Sequence, residues 1–255
     1  MAKEQVSSIL RALEILECFM DNGTEWTLKN LVEKLDMPTT TVFRQLSTLT
    51  ERGYLIQDPL RKSYRIGPRL LLLSSTILSH CDLRSIARAE LEKLSASVKE
   101  TINLSVLLDR DIFYLDKVET FRSVVCNTKI GSRAPAHATS SGKVMLAYKD
   151  EAFIDNYCRH LSDIPKLTDK TISTPEQLRK ELVCARINGY ATDDGEIEPG
   201  LICVGAPILG LDQAVLGAVS IAGPTFRMKE ELDSMILAIK RTASNISALL
   251  GGQYW

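Results

Sequence analysis

No C-x-x-C pair occurs among the six cysteines, Cys18, Cys81, Cys126, Cys158, Cys184 and Cys203. Free thiols in a reducing compartment are the economical reading of that scatter. His80 beside Cys81 is half of a ligand pair whose second half is missing at ligand spacing, so no metal and no other cofactor is expected. No apolar run reaches the roughly 20 residues that a bilayer requires; Leu70 to Leu73, continuing to Ile77-Leu78, stops at His80. No signal or transit pattern is present at Met1-Ala2-Lys3-Glu4, which leads into an amphipathic helix, so a cytoplasmic protein is expected. Excess charge of one sign is also missing. The formal net charge is -1, and no general basic surplus announces nucleic acid.

Enzyme signatures are equally scarce. Ser141-Gly142-Lys143 looks superficially like a phosphate loop, but that pattern needs Gly where His137 stands and Ser or Thr where Val144 stands. There is no G-x-S-x-G elbow. Three histidines among many serines can always be arranged into an imagined triad, which carries little weight. No catalytic residue is assigned. A metabolic enzyme with an accessory DNA-binding head remains the alternative reading, and a ligand-free architectural or RNA-binding protein is a third.

What is present is concentrated between Thr24 and Ile66. Leu28, Leu31, Val32 and Leu35 recur at helical spacing and stop at Asp36-Met37-Pro38. A second helix starts at Pro38, suited to a first turn because its missing N–H would be unsatisfied there anyway, and ends at Gly53. Tyr54-Leu55-Ile56 and Ser63 to Ile66 read as two short strands around Asp58-Pro59, with Arg61-Lys62 at the tip. Two short helices, a tight turn and a basic ribbon make a winged helix-turn-helix, whose second helix enters the DNA major groove.

With Val42, Leu46 and Leu49 facing a core, Thr40, Arg44 and Ser47 point the opposite way, with Thr41 and Phe43 on the flanks. The candidate DNA-binding residues are therefore Thr39, Thr40, Thr41, Phe43, Arg44, Ser47, Arg61 and Lys62. Small hydroxyls reach phosphates or base edges, Arg44 reaches a guanine edge, and Phe43 or a Thr methyl meets a thymine methyl. The bland alternative is that the threonines merely cap a surface helix. Local charge decides between them. Residues 38–80 hold Arg44, Arg52, Arg61, Lys62, Arg65 and Arg69 against Glu51 and Asp58, a net of 6 − 2 = +4. One such head binds weakly, so a dimer on double-stranded DNA is expected.

Residues 1–67 are thus assigned to the DNA-binding domain and 68–81 to a linker helix. Leucines all round the linker mean burial on every side, and a dimer seam is favoured slightly over burial within one protomer. Residues 82–255 form the second domain. A long amphipathic helix from Leu83 to Val98 precedes a hairpin, Thr101 to Leu108 and Ile112 to Val118, and Val124 to Lys129 adds a strand. Helices follow at Ser140 to Tyr148, Phe153 to Cys158 and Glu176 to Ile187. A second hairpin, Leu201 to Leu209 and Ala214 to Ala222, precedes a closing helix from Lys229 to Leu250. Hairpins flanked by helices, without strand-helix alternation, give an α+β class with an antiparallel sheet.

Across nearly the whole chain, short motifs occur in the order found in IclR-type bacterial transcriptional regulators, which the sequence resembles. In the head they are T-V-F-R-Q-L (41–46), G-Y-L (53–55) and Y-R-I-G (64–67). The second domain carries G-S-R-A-P-A-H-A-T-S-S-G-K (131–143), G-Y (189–190), D-D-G-E (193–196), G-L-I-C-V-G-A-P-I (200–208) and S-I-A-G-P (220–224). The resemblance implies a GAF- or profilin-like effector-binding domain and self-association as a dimer or dimer of dimers. It also implies operator binding that a small metabolite changes. Many members of the family repress catabolic operons and some activate. By position the effector residues are Cys126, Ser140, Ser141, Gly142, Asp193, Cys203, Ser220 and Ala222. Ser140-Ser141 stand where Gly and Ala occur in some relatives, and Ala222 where Ser occurs, so the identity of the ligand does not transfer.

Read by themselves, Thr139, Ser140 and Ser141 offer hydroxyls and backbone N–H groups at a helix start, which suits a carboxylate. Asp193 suits a ligand hydroxyl or holds the pocket's own amides. The plainer reading makes Ser140 an N-cap, Gly142 a close-packing position and His137 a satisfied buried histidine. The expected function is a ligand-responsive regulator, a repressor of a catabolic operon sensing a small organic acid, with an activator of the same family as the variant reading. An aromatic ligand is the alternative, with Cys126, Val204 and Ile221 lining a more apolar cavity.

Overall fold

The computed structural model describes residues 7–19, 25–73, 82–120, 122, 128–210 and 213–252. By its internal contacts the chain divides into two compact units, Met1–Cys81 and Asp82–Trp255.

In the first unit, α1 (Ser7–Glu17) precedes β1 (Trp26–Thr27), α2 (Leu28–Leu35), α3 (Thr39–Glu51), β2 (Leu55–Gln57) and β3 (Ser63–Ile66). Residues 68–73 are helical, and the rest of the expected linker helix, 74–81, lies outside the described residues. Thr27 caps α2 by accepting the Asn30 N–H at 3.2 Å, and Asp36 ends it in the left-handed region (φ 49°). That turn swings the chain into α3, where Pro38 stands as the cap residue just before the first helical position. Ile15, Leu31, Val42, Leu46, Leu49, Leu55 and Tyr64 form the core. The apolar periodicity of both helices thus faces one interior. β2 and β3 pair antiparallel with Gln57 opposite Tyr64, and β1 adds a third strand beyond β3. Gly67 is required where the wing returns, since a Cβ there would sit 2.3 Å from the Gly53 carbonyl oxygen.

The second unit is built on a six-stranded antiparallel sheet. It runs α4 (Asp82–Val98), β4 (Thr101–Leu108), β5 (Asp111–Val118), β6 (Arg133–Pro135), α5 (Ser140–Leu146), α6 (Glu151–Arg159), α7 (Pro175–Asn188), β7 (Ala191–Asp194), β8 (Leu201–Leu209), β9 (Val215–Pro224), α8 (Thr225–Met228) and α9 (Leu232–Leu249). The strand order is β6-β5-β4-β9-β8-β7, two hairpins joined along β4 and β9. The long helices α4 and α9 cover one face, and α5 lies on the other. Side chains alternate between those faces: Gly217 of β9 faces Leu83 of α4, whereas Ala218 joins the cluster around Val144 and Leu146 of α5.

Strands β6 and β7 are additional to the sequence reading, and both are short edge strands, of three and four residues. The strand expected from Val124 to Lys129 falls mostly outside the described residues, and Thr128 and Lys129 are not in a strand. The closing helix begins at Leu232 rather than Lys229, after the separate turn α8.

Candidate nucleic-acid interface and effector cavity

Helix α3 buries Val42, Leu46 and Leu49 and turns Thr39, Thr40, Phe43, Arg44 and Ser47 to solvent, with Thr41 half-buried at the edge. Phe43 is 52 % exposed, so its ring is open to an outside partner. Arg44 makes no intramolecular ion pair among the described residues, so its guanidinium is available to an outside acceptor. The wing is held rigid by Asp58, whose Oδ1 accepts the N–H groups of Leu60 (2.8 Å) and Arg61 (3.0 Å). These two amides, with Arg61 and Arg65 nearby, hold its carboxyl below the ordinary value. Arg61 and Lys62 line a groove with Thr39, Thr27 and Lys29, so the wing tip and the starts of α2 and α3 form one basic, hydroxyl-rich rim. Lys29 escaped the sequence reading because it sits on the polar face of the first helix, where a lysine is ordinary.

In the second unit a cavity of about 350 Å³ lies between the sheet and the start of α5. Its walls include Ser140 and Ser141 of α5, Asn103 of β4, Cys203 of β8, Ser220 and Ala222 of β9, and Asp193 of β7. Six of the eight expected effector residues are therefore gathered from four separate elements. Cys126 lies outside the described residues. Gly142 is not in the wall, which corrects its inclusion: its N–H goes to Thr139 Oγ1 at 3.0 Å, and a Cβ there would meet the Ala136 carbonyl oxygen at 2.1 Å. Gly142 is a close-approach position. Val204 and Ile221, the proposed apolar lining, face the opposite side of the sheet, because neighbours in a strand alternate faces and Cys203, Ser220 and Ala222 occupy the cavity side. The apolar wall comes instead from Ile112, Tyr114, Ala134 and Leu201.

The hydroxyls of Ser140, Ser141 and Ser220 make no hydrogen bond to protein among the described residues, although the three residues are buried. Gly205 allows the approach of α5, since a Cβ there would lie 2.9 Å from the Ser141 nitrogen. Asn103 Oδ1 accepts the Thr128 hydroxyl at 2.7 Å. Asp193 Oδ1 accepts the Glu196 N–H at 2.6 Å, and burial pushes the Asp193 carboxyl up to about 6. Asn103, Tyr114 and Thr128 were not singled out from the sequence, because Asn103 and Tyr114 are brought in by strand register and Thr128 by a segment outside any strand, and neither leaves a local mark.

His137 is buried. Its backbone N–H donates to the Tyr157 hydroxyl at 3.0 Å, and Nδ1 lies 3.0 Å from that same oxygen. Burial, then the nearby Lys143 charge, lowers the imidazole pKa to about 4, which favours the neutral ring. A satisfied core histidine is what the geometry gives. No group of three or more His, Cys, Asp or Glu that could hold a metal occurs among the described residues, and no described helix is long and apolar enough to cross a membrane.

Comparison with known proteins bears on both units. Residues 8–59 match the family model described as the IclR helix-turn-helix domain, and residues 75–248 match that of the bacterial transcriptional regulator IclR C-terminal domain. The HTH-type transcriptional regulator KdgR of Dickeya chrysanthemi is 31 % identical over 249 residues, covering 97 % of this chain and 81 % of that protein. The transcriptional repressor IclR of Escherichia coli is 28 % identical over 257 residues, covering 98 % and 92 %. The solved structure of an IclR homologue from Microbacterium hydrocarbonoxydans complexed with 4-hydroxybenzoate superimposes with a TM-score of 0.82 at 25 % identity, over 95 % of this chain and 98 % of that one.

Proposed function

Because the chain belongs to the IclR family of bacterial transcriptional regulators, we propose that it represses a catabolic operon and changes its grip on the operator when a small organic acid occupies the cavity beside α5. It is a DNA-binding transcriptional regulator and not an enzyme. In this reading Thr39, Thr40, Thr41, Phe43, Arg44 and Ser47 enter the major groove, and Arg61 and Lys62 of the wing meet the backbone. Two heads of a dimer read two half-sites. Repression is supported by the E. coli relative, a repressor by name, and the acid by the 4-hydroxybenzoate held in the Microbacterium homologue.

The observation that carries the ligand class is the set of three serines, buried as residues, whose hydroxyls have no protein partner among the described residues. Ser140, Ser141 and Ser220 converge with Asn103 on a cavity that also holds the apolar side chains of Ile112, Tyr114 and Leu201 and the charged ones of Arg133, Asp193 and Glu198. Donors on one side and Ile112, Tyr114 and Leu201 on the other fit a carboxylate on a small carbon skeleton. A thermal-shift panel of organic acids tests this. An acid at a hundred times its Kd raises stability by about 2.7 kcal/mol. A panel in which only uncharged sugars or amines shift the melting temperature overturns the acid reading.

A further inference from the structure

Behind the cavity wall stands a group of charges that the effector reading does not use. Lys143 of α5 is 1 % exposed. Its ammonium lies 2.5 Å from Glu196 Oε1, 3.5 Å from Glu181 Oε2 of α7 and 2.9 Å from the Thr192 carbonyl oxygen. None of these four residues lines the cavity. Yet Lys143 and Glu196 both stand on segments that do: α5 presents Ser140 and Ser141 just ahead of Lys143, and the 193–198 turn presents Asp193, Ile197 and Glu198 to either side of Glu196.

Glu196 is fastened in three ways. Its N–H goes to Asp193 Oδ1, its carbonyl accepts the Thr171 hydroxyl at 2.7 Å, and its carboxylate meets Lys143. The Thr168 hydroxyl, 2.7 Å from the Gly195 carbonyl oxygen, holds the same turn from the same loop. Glu196 Oε2 is buried with no hydrogen-bond partner among the described residues, so the side chain depends on Lys143 for compensation. A buried charge deprived of its partner is strongly unfavourable, whereas replacing both members of such a pair by packed apolar groups is often neutral.

We propose that Lys143 and Glu196 are positioning residues of the effector cavity, an electrostatic clamp that ties the 193–198 turn to the start of α5 and so fixes the distance between two facing walls. The proposal rests on reading that cavity as the effector site. The clamp acts without touching the ligand. Removing one charge releases the turn; removing both lets it settle back.

The test uses the full chain and two readouts free of DNA and effector: hydrogen exchange of peptides spanning 191–201, and iodoacetamide alkylation of Cys203 in the cavity wall, resolved by peptide mass. Lys143→Met is expected to speed both by about tenfold or more, the factor for about 1.4 kcal/mol of lost restraint, while peptides from 101–118 keep their wild-type exchange. Lys143→Met combined with Glu196→Leu is expected to return both to near the wild-type rate. Should Lys143→Met fail to fold, Glu196→Gln, which keeps the shape and removes the charge, is expected to give a smaller rise confined to the same segment. Unchanged rates in the variant that is read overturn the clamp. So does an equal rise in 101–118, which marks general destabilisation, or a double variant as open as the single one. Failure of the effector reading shows elsewhere, as a silent thermal-shift panel.

Discussion

Arg44 occupies the solvent side of α3 between Phe43 and Ser47, one helical turn beyond Thr40. A guanidinium presented this way donates to a guanine edge in a fork that lysine does not reproduce. Arg44→Ala is expected to weaken binding to a duplex selected from a random library by about 1–3 kcal/mol while barely changing binding to unselected DNA, as read by gel shift. Equal loss on both would make Arg44 a phosphate anchor. Asp193 supplies a second prediction at this scale. Its carboxyl titrates at about 6, raised by burial, and an anionic ligand beside it favours the protonated form still further. Acid binding then takes up a proton. Affinity is expected to rise as pH falls from about 8 to 6 and to level off below, in calorimetric titrations at several pH values. Affinity that drops through that window would mean that Asp193 accepts a hydrogen bond from the ligand as a carboxylate. The residues legible in the sequence were those with local signatures, such as the threonines and Arg44 opposite a 3.6-residue apolar stripe. Asn103 and Tyr114 were not legible, because only pairing across β4, β5 and β9 brings them to one place.

Among elements, the recognition helix and the wing were readable because amphipathic period and turn chemistry act over a few residues. The edges of the sheet were harder. β6 holds three residues and β7 four, too short for alternation to show, and β6 lies inside the G-S-R-A-P-A motif that drew attention for another reason. The position of Gly142 was legible only as one of two options, and the structure chooses close packing. Helix α5 approaches the Ala136 backbone so nearly that no Cβ fits. Gly142→Ala is therefore expected to cost at least about 1–3 kcal/mol of stability by forcing α5 off its seat, measurable as a lowered urea midpoint. A variant as stable as the wild type would show that α5 shifts freely.

For the whole molecule, a net charge of -1 conceals a basic head, and this separation makes the salt dependence informative. Arg44, Arg61, Lys62 and Arg65 are exposed on each head. With Arg44 on a base edge, Arg61, Lys62 and Arg65 of two heads engaged together give about six phosphate contacts, and the slope of log K against log salt is expected to approach about −5. A slope near half that value would mean that one head binds alone. Domain order and class were legible at this scale, since motifs spread over nearly the full length keep their sequence order. The ligand was not, because a cavity assembled from α5 and all six strands of the sheet has no linear signature.

The account stands on one coupling: what fills the cavity beside α5 alters how α3 holds DNA. Its most direct test is an anisotropy titration of a library-selected duplex by the full chain, with and without an acid found by thermal shift, for the wild type and for Ser141→Leu, which fills the cavity. The wild-type Kd is expected to change by roughly 5–150-fold on adding the acid, and the variant to bind the duplex with an unaltered Kd whether or not acid is present. A wild-type Kd indifferent to an acid that demonstrably binds, or the same response in Ser141→Leu, would contradict it.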